Sequence, residues 1–140
     1  NPGVAFCNGA YRVVAPRIVP EPGLATFAIA TDTGSPSSWN AGLPSTPALS
    51  ASLACNGTQT LVVWEDDTDP SQPLIRGAFT NPPTETPPVF PSQGQRQTSP
   101  RVVAFGSDFL VGWNQASFAS KGIANFRERC NQRHECLDLG

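Results

Sequence analysis

An internal repeat with a period of 49 residues is the feature that most constrains how this chain folds. Three residues that each end an apolar run, Ala15, Trp64 and Trp113, follow one another at this interval, and so do the valines two residues before them. A second set of apolar segments keeps the same spacing, at residues 25–30, 74–79 and 123–128. Two registers that share one period predict a chain built from repeated structural units.

Each unit begins with two apolar runs that flank a small polar turn. Residues 4–7 and 11–15 lie on either side of Asn8-Gly9, the second unit has Asn56-Gly57 at the corresponding place, and the third has Gly106-Ser107. Asn-Gly tolerates positive φ and is the strongest short signal for a β-hairpin. The proline-rich stretch 81–91 is expected to form a loop or a sheet edge, because proline lacks a backbone donor.

The second strand of the middle unit, Leu61-Val62-Val63-Trp64, is apolar without alternation. A sheet with one wet face would alternate, so this run predicts a strand covered on both faces. Propeller blades stack face to face and cover their strands in this way. We therefore expect an all-β protein with about three antiparallel blades of a β-propeller-like array. Residues 1–140 would form one array, with units at approximately 1–50, 51–99 and 100–140.

Charge and composition exclude several classes of partner. The net charge is −2, from 9 basic and 11 acidic residues. This balance argues against nucleic acid, whose binding needs a basic surface. No apolar stretch approaches the roughly 20 residues that span a bilayer, so no transmembrane segment is expected. The sequence contains no methionine, which favours a mature product, a fragment or the ordered part of a longer chain.

The cysteine pattern favours disulfides over a metal site. The chain has 4 cysteines, no C-x-x-C pair and a single histidine, His134. Such a pattern in a turn-rich chain is typical of an oxidising compartment, so we expect a secreted, extracellular or cell-surface protein. Cys7 and Cys55 each lie just before an Asn-Gly pair and look equivalent in the first two units. Their pairing would connect neighbouring blades near the central axis and contribute about 4 kcal/mol.

The middle unit resembles a known repeat. Leu61-Val62-Val63-Trp64-Glu65-Asp66, preceded by Asn56-Gly57-Thr58, is similar to a repeat of large secreted proteins of myxobacteria and related bacteria. That repeat reads P-x-V-A-x-D-G-x-x-Y-L-V-V-W-x-D, then I-Y-G-A-R, then L-D-x-x-G. Further segments resemble its remaining parts: Leu74–Phe79, Ser99-Pro100-Arg101-Val102-Val103-Ala104, and the closing Arg129, Leu137, Asp138 and Gly140. The first unit departs from the pattern, with Ala15 in place of tryptophan.

The resemblance implies an extracellular, propeller-like protein without catalysis in the repeat. It transfers no functional residue, because the family pattern marks packing positions. In that pattern a hairpin lies between Cys130 and Cys136. The resemblance therefore implies a disulfide across this turn, which would contribute about 2 kcal/mol.

The tryptophans divide into two groups. Trp64 and Trp113 are candidates for sugar stacking, but their periodic position at the end of apolar strands favours packing between blades. We assign them to the structural core together with the valines of the same register, Val13, Val62 and Val111. Trp39 has no counterpart 49 residues later and is a candidate contact for a ligand or a partner chain.

Two polar segments carry weaker hypotheses. Asp66, Asp67 and Asp69 are weak calcium candidates, since calcium prefers several oxygen ligands from flexible loops. They lack the D-x-D-x-D-G spacing of a calcium loop, so a solvated turn is favoured and no metal or cofactor is expected. Asn56-Gly57-Thr58 fits an N-glycosylation acceptor, but the repeat explains Asn56-Gly57 as a turn.

The sequence favours a non-catalytic function. His134 lies among polar residues, and no G-x-S-x-G elbow is present, so the nucleophile, base and acid of a serine hydrolase are not in evidence. The leading hypothesis is an extracellular structural or interaction module that assembles with copies of itself or with further repeats of a longer chain. The alternatives are a lectin-like propeller that binds a glycan or a cell-surface protein, and a hydrolase fragment.

Overall fold

The computed structural model describes residues 2–17, 23–30, 36–38, 47–80, 90, 95–116, 123–130 and 136–138. Within these ranges the chain is built from strands, and no helix is present. The all-β class predicted from the repeat is therefore confirmed. The strands are β1 (Gly3–Cys7), β2 (Ala10–Arg17), β3 (Gly23–Ala30), β4 (Pro36–Ser38), β5 (Ala48–Cys55), β6 (Thr60–Asp66), β7 (Leu74–Phe79), β8 (Arg96–Phe105), β9 (Asp108–Ala116), β10 (Ile123–Cys130) and β11 (Cys136–Asp138).

The described strands form three antiparallel sheets, each of which follows chain order. Sheet 1 has the order β1-β2-β3-β4, sheet 2 has β5-β6-β7, and sheet 3 has β8-β9-β10-β11. Each sheet is a meander in which every strand pairs with the next along the chain. Strands β3, β7 and β10 coincide with the second register of the repeat. Each described sheet therefore recurs once per 49-residue period, with β5 and β8 beginning a few residues before the predicted unit boundaries at 51 and 100.

The turns between the first two strands of each sheet differ in length. Asn8 and Gly9 have φ of 51° and 76°, as a two-residue type I′ turn requires. In sheet 2, Cys55 pairs with Thr60, so the turn spans four residues, 56–59, where the sequence predicted a short Asn-Gly hairpin. The Asn56 side-chain oxygen accepts hydrogen bonds from the backbone N–H groups of Thr58 and Gln59, at 3.1 and 2.9 Å. This local side-chain bonding stabilises the longer turn.

Strand β6 is buried along its whole length, as its continuous apolar sequence predicts. Its side chains alternate between two cores. Leu61 and Val63 point into the core between sheets 2 and 3, whereas Val62 and Trp64 point into the core between sheets 1 and 2. Sheet 2 is therefore the middle layer of a stack and is covered on both faces.

The first strands of successive sheets approach each other closely. A Cβ atom added at Gly3 would lie 2.9 Å from both the Leu53 nitrogen and the Ser52 Cα. The same contact recurs one repeat later, where the Val102 N–H donates a hydrogen bond to Ser52 Oγ at 3.2 Å. Ser52 follows Gly3 by 49 residues, and Val102 follows Leu53 by 49. The sequence period is thus reproduced as a spatial step from sheet to sheet, and it requires a small side chain at the point of approach.

The two cores differ in how they satisfy an equivalent tryptophan. Trp113 Nε1 donates to Gln115 Oε1 at 3.2 Å, and the Gln97 amide donates to the same oxygen at 3.3 Å. Gln97 Oε1 in turn accepts from the Ile75 N–H at 3.0 Å, which joins sheet 3 to sheet 2. Trp64 is equally buried, but its Nε1 has no hydrogen-bond partner among the described residues.

The substitutions at the equivalent positions explain this difference. Ala48 stands where sheet 3 has Gln97, and Asp66 stands where sheet 3 has Gln115. Alanine has no polar group to offer. The Asp66 oxygens are engaged elsewhere, with Thr68 and Arg76. Burial of the Trp64 N–H therefore carries a desolvation cost that no hydrogen bond offsets, whereas the hydrogen bond of the Trp113 N–H offsets its own cost.

We predict that Gly3→Ala lowers the free energy of unfolding by about 1–3 kcal/mol, because the new methyl group collides with the backbone of β5. Urea unfolding of the disulfide-intact protein measures this. The control is Leu49→Thr at an exposed position of β5, which should stay within about 0.5 kcal/mol of the parent. Equal effects of both substitutions would contradict the close approach.

A second prediction compares the two tryptophans. Trp113→Phe should cost about 1 kcal/mol more than Trp64→Phe, because only the former removes a hydrogen bond, whereas the latter removes an unsatisfied buried donor. The loss of aromatic volume is the same in both variants, so each serves as the control for the other in urea unfolding. A larger cost at Trp64 would show that its N–H is satisfied.

Candidate interaction faces at the two ends of the stack

The register of the strands shows which side chains share a face of each sheet. In sheet 1, Val4 lies opposite Val13 and Phe6 opposite Tyr11, so these four side chains point away from sheet 2. The intervening residues, including Ala5 and Cys7, point toward sheet 2. Because sheets 1 and 3 lie at the ends of the stack, each has one face that is not covered by another of the described sheets.

The N-terminal end face is formed by Val4, Phe6, Tyr11, Val13 and Ala15. Val4 is 64% exposed, and Phe6 and Tyr11 are also exposed, with ring centroids 5.2 Å apart in an edge-to-face contact. Leu53, the counterpart of Val4 in sheet 2, is only 4% exposed. The face exposed in sheet 1 therefore corresponds to the face of sheet 2 that packs against sheet 1.

The C-terminal end face is formed by Arg101, Val103, Phe105, Leu110 and Gly112 of sheet 3. Val103 is 55% exposed and Phe105 is 63% exposed. Ala54, the counterpart of Val103 in sheet 2, is 6% exposed. This face of sheet 3 corresponds to the face of sheet 1 that packs on sheet 2 and to the face of sheet 2 that packs on sheet 3. The two end faces are thus the two halves of an inter-sheet contact.

A disulfide connects the first strands of sheets 1 and 2. Cys7 and Cys55 are bonded, with a Cα–Cα distance of 5.7 Å, and the bond is the predicted one. The sequence interpretation placed the two cysteines at equivalent positions, but the register shows otherwise. Cys7 lies opposite Ala10, and Cys55 lies opposite Thr60. Their separation is 48 residues, one less than the repeat.

This offset of one residue is what allows the bond to form. Successive side chains of a strand point to opposite faces. Residues at truly equivalent positions would point in the same direction along the stack and could not meet. Cys7 points toward sheet 2 and Cys55 points back toward sheet 1, so the two sulfur atoms face each other across the contact.

The second predicted disulfide is described in part. Cys130 is disulfide-bonded, and it lies directly opposite Cys136 in the register of β10 and β11. The side chain of Cys136 lies outside the described part of the chain, so the pairing of these two residues stays a prediction. Trp39 and His134 also lie outside the described residues.

The residues assigned to the core are placed as follows. Trp64, Trp113, Val62 and Val111 are buried between sheets. Neither tryptophan therefore offers a face for sugar stacking. Val13 is only half-buried, because it belongs to the N-terminal end face, and its assignment to the core is corrected here.

The acidic turn satisfies its own carboxylates. Asp66 accepts hydrogen bonds from the Thr68 N–H at 3.0 Å and from Arg76 Nε at 3.1 Å. Burial raises the pKa of Asp66, but the bonds from Thr68 and Arg76 outweigh it and hold the pKa below its ordinary value. Hydrogen bonds from Ser71 likewise lower the pKa of Asp69. Within the described ranges no three His, Cys, Asp or Glu side chains converge as metal ligands, so the weak calcium candidates Asp66, Asp67 and Asp69 are not brought together.

The Asn56 side chain is engaged on both of its polar atoms. Besides the three hydrogen bonds that Oδ1 accepts within its own turn, Nδ2 donates to the Ser107 carbonyl oxygen at 2.6 Å. The bond joins the turn of sheet 2 to the turn of sheet 3. Asn56 therefore has a structural role, as the interpretation of Asn56-Gly57 as a turn predicts.

Comparison with known proteins identifies the fold. No protein-family model and no curated protein sequence matches the chain. Among solved structures, the chain is similar to an α-L-arabinanase of Penicillium chrysogenum complexed with arabinobiose, with a TM-score of 0.67 and 14% sequence identity. The match covers 99% of this chain and 49% of the arabinanase, so this chain spans about half the length of that protein. The likeness shows that the three stacked sheets form a β-propeller-like fold.

Proposed function

We propose that this protein is a non-catalytic structural or interaction module that assembles through the end faces of its stacked β-sheets. The observation that carries the proposal is the exposure of Val4 and Val103 on the two end faces, although their counterparts in sheet 2, Leu53 and Ala54, are buried. Phe6 and Phe105 are exposed on the same two faces. Exposed apolar patches of this kind mark interaction surfaces. Repeat arrays also depend on neighbouring units to cover their faces.

An oxidising, extracellular or cell-surface location supports this role. The Cys7–Cys55 disulfide connects two sheets of the stack, and disulfides persist mainly in oxidising compartments. The described residues include no helix long and apolar enough to cross a membrane. In this environment a covalent connection between sheets would keep the interacting faces in a fixed relation to each other.

The non-catalytic part of the proposal rests on the sequence. A single histidine and the lack of a G-x-S-x-G elbow leave no recognisable nucleophile, base and acid of a serine hydrolase. The resemblance to secreted myxobacterial repeat proteins supports the same conclusion, because their repeat pattern marks packing positions and not reacting groups.

Glycan binding is a second candidate, and the arabinanase favours it because that structure holds arabinobiose. Ligand pockets are generally concave, and propeller blades surround a central channel. Titration calorimetry with arabinobiose separates the two candidates. Saturable heat at a 1:1 ratio would favour the binding module, whereas no heat would leave assembly as the better proposal.

The test of assembly is native mass spectrometry of the purified protein across a range of concentrations, with and without reductant. We expect a discrete oligomer with oxidised cysteines. Reduction should weaken the oligomer, since the loss of the Cys7–Cys55 bond loosens sheet 1, which carries one of the end faces. A monomer at all concentrations would contradict assembly between copies of this chain.

A further inference from the structure

We infer that Asn8 is a site of spontaneous covalent modification, at which the asparagine is converted to aspartate and isoaspartate. The chain contains two Asn-Gly pairs, Asn8-Gly9 and Asn56-Gly57, and each follows a cysteine in the first turn of its sheet. The structure holds the two asparagine side chains in different ways, and this difference selects Asn8. The inference is independent of whether the protein assembles.

The reaction is a cyclisation that consumes only water. The backbone nitrogen of the glycine loses its proton and attacks the side-chain amide carbon, Cγ, of the preceding asparagine. A new C–N bond forms, the bond from Cγ to the amide nitrogen breaks, and that nitrogen leaves as ammonia. Water then opens the cyclic imide at either carbonyl group, which gives aspartate or isoaspartate without any change of oxidation state. Glycine favours the attack because it has no Cβ atom to obstruct its nitrogen.

The two glycines have similar surroundings. Both are exposed and have a positive φ, 76° at Gly9 and 96° at Gly57. A Cβ atom added at either glycine would meet no atom of the described residues within 4 Å, apart from the chain neighbours. Steric access to the glycine therefore does not distinguish the two pairs, whereas the asparagine side chains do.

Four hydrogen bonds hold the Asn56 side chain. Its Oδ1 accepts from the Thr58 N–H and the Thr58 hydroxyl, both at 3.1 Å, and from the Gln59 N–H at 2.9 Å. Its Nδ2 donates to the Ser107 carbonyl oxygen at 2.6 Å, which retains the nitrogen that the reaction must release. The amide has to leave these partners before Gly57 can attack it, so the hydrogen bonds oppose the cyclisation.

The Asn8 side chain is not held in this way. It is exposed and makes no hydrogen bond with any residue in the described part of the chain. The length of the turn gives the reason. Ala10 and Tyr11, which follow Asn8 as Thr58 and Gln59 follow Asn56, already belong to β2, a strand that is paired on both sides. Their N–H groups therefore face the strand ladder and not the asparagine.

The comparison does not depend on where the sequence begins. Asn56 is held by its own turn and by the turn of sheet 3, the sheet that follows it. The corresponding partners of Asn8 would be its own turn and the turn of sheet 2, and both lie within the described residues.

The modification changes the first hairpin of the protein. Cys7 and Ala10 pair directly across the turn, and Cys7 carries the disulfide to sheet 2. Aspartate keeps the length of the turn and tolerates positive φ, but it adds a negative charge at the tip. Isoaspartate inserts a methylene group into the backbone, so the two-residue type I′ geometry is lost.

The test follows both asparagines in one sample. The disulfide-intact protein is incubated at mildly alkaline pH, and aliquots are reduced and digested with trypsin, with an aliquot from the start as the blank. Cleavage after arginine places Asn8 in fragment 1–12 and Asn56 in fragment 18–76, and tandem mass spectrometry locates each converted residue. We expect Asn8 to convert at least about tenfold faster than Asn56, because several hydrogen bonds must break at Asn56. Both aspartate and isoaspartate should form at residue 8.

Two controls separate the structure from the local sequence. In the reduced chain unfolded in guanidinium chloride, both asparagines lie in a Cys-Asn-Gly segment and neither is held, so their rates should agree within about threefold. In the folded protein, Thr58→Val removes one hydrogen bond from Asn56 at an exposed position. This substitution should speed conversion of Asn56 by about threefold and leave the rate at Asn8 unchanged.

Several outcomes would overturn the inference. Equal rates in the folded protein, or a faster rate at Asn56, would show that the hydrogen bonds do not select the site. The same preference for Asn8 in the unfolded chain would assign it to local sequence and not to the structure. An Asn8 that stays intact in the folded protein while the unfolded chain reacts would show that the turn protects it. Aspartate without isoaspartate would contradict the cyclisation.

Discussion

The structure depends on the close approach between the first strands of successive sheets. Gly3 leaves no room for a Cβ atom against Leu53 and Ser52, and this contact sets the spacing between sheets 1 and 2. At that spacing β6 is covered on both faces, which explains why none of its residues is exposed. The same spacing brings Cys7 within bonding distance of Cys55. Packing, burial and covalent connection therefore follow from one contact that a single methyl group would disturb.

The repeat also accounts for the surfaces that remain open. The contact between successive sheets joins two different faces. The outer face of sheet 1 corresponds to one of them, and the outer face of sheet 3 corresponds to the other. The end faces are largely apolar because most of their positions correspond to ones that are buried in sheet 2, such as Leu53 and Ala54. Both end faces also depart from the repeat, with Ala15 in place of tryptophan on one side and Arg101 in place of a small residue on the other.

Much of this fold could be predicted from the sequence, since the 49-residue period and the unbroken apolar run at Leu61-Val62-Val63-Trp64 report directly on sheet number and burial. The details that failed depend on register. The pairing of Cys55 with Thr60 shows that the Asn56 turn has two more residues than the sequence predicted. Strand pairing also shows that Cys7 and Cys55 are offset by one residue from equivalent positions, which directs Cys7 toward sheet 2. Val13 keeps the periodic pattern of a core residue, yet its face lacks a covering sheet.

Buried polar residues were also missed. Gln97 and Gln115 are fully buried and connect Trp113 to the backbone of sheet 2. Glutamine usually lies at the surface, and the equivalent residues of the previous unit, Ala48 and Asp66, give no indication of this role. The end-face residues did carry a signal, because alignment by the repeat identifies the positions that a neighbouring sheet covers.

The central claim is that consecutive repeats form stacked sheets whose first strands lie side by side. Peptide mapping of the protein digested without reduction tests it most directly, since only this arrangement brings Cys7 to Cys55. The account predicts that Cys7 is recovered in one linked fragment with Cys55. Recovery of Cys7 linked to Cys130 or Cys136, or as a free thiol in the oxidised protein, would contradict the stacking of β1 on β5.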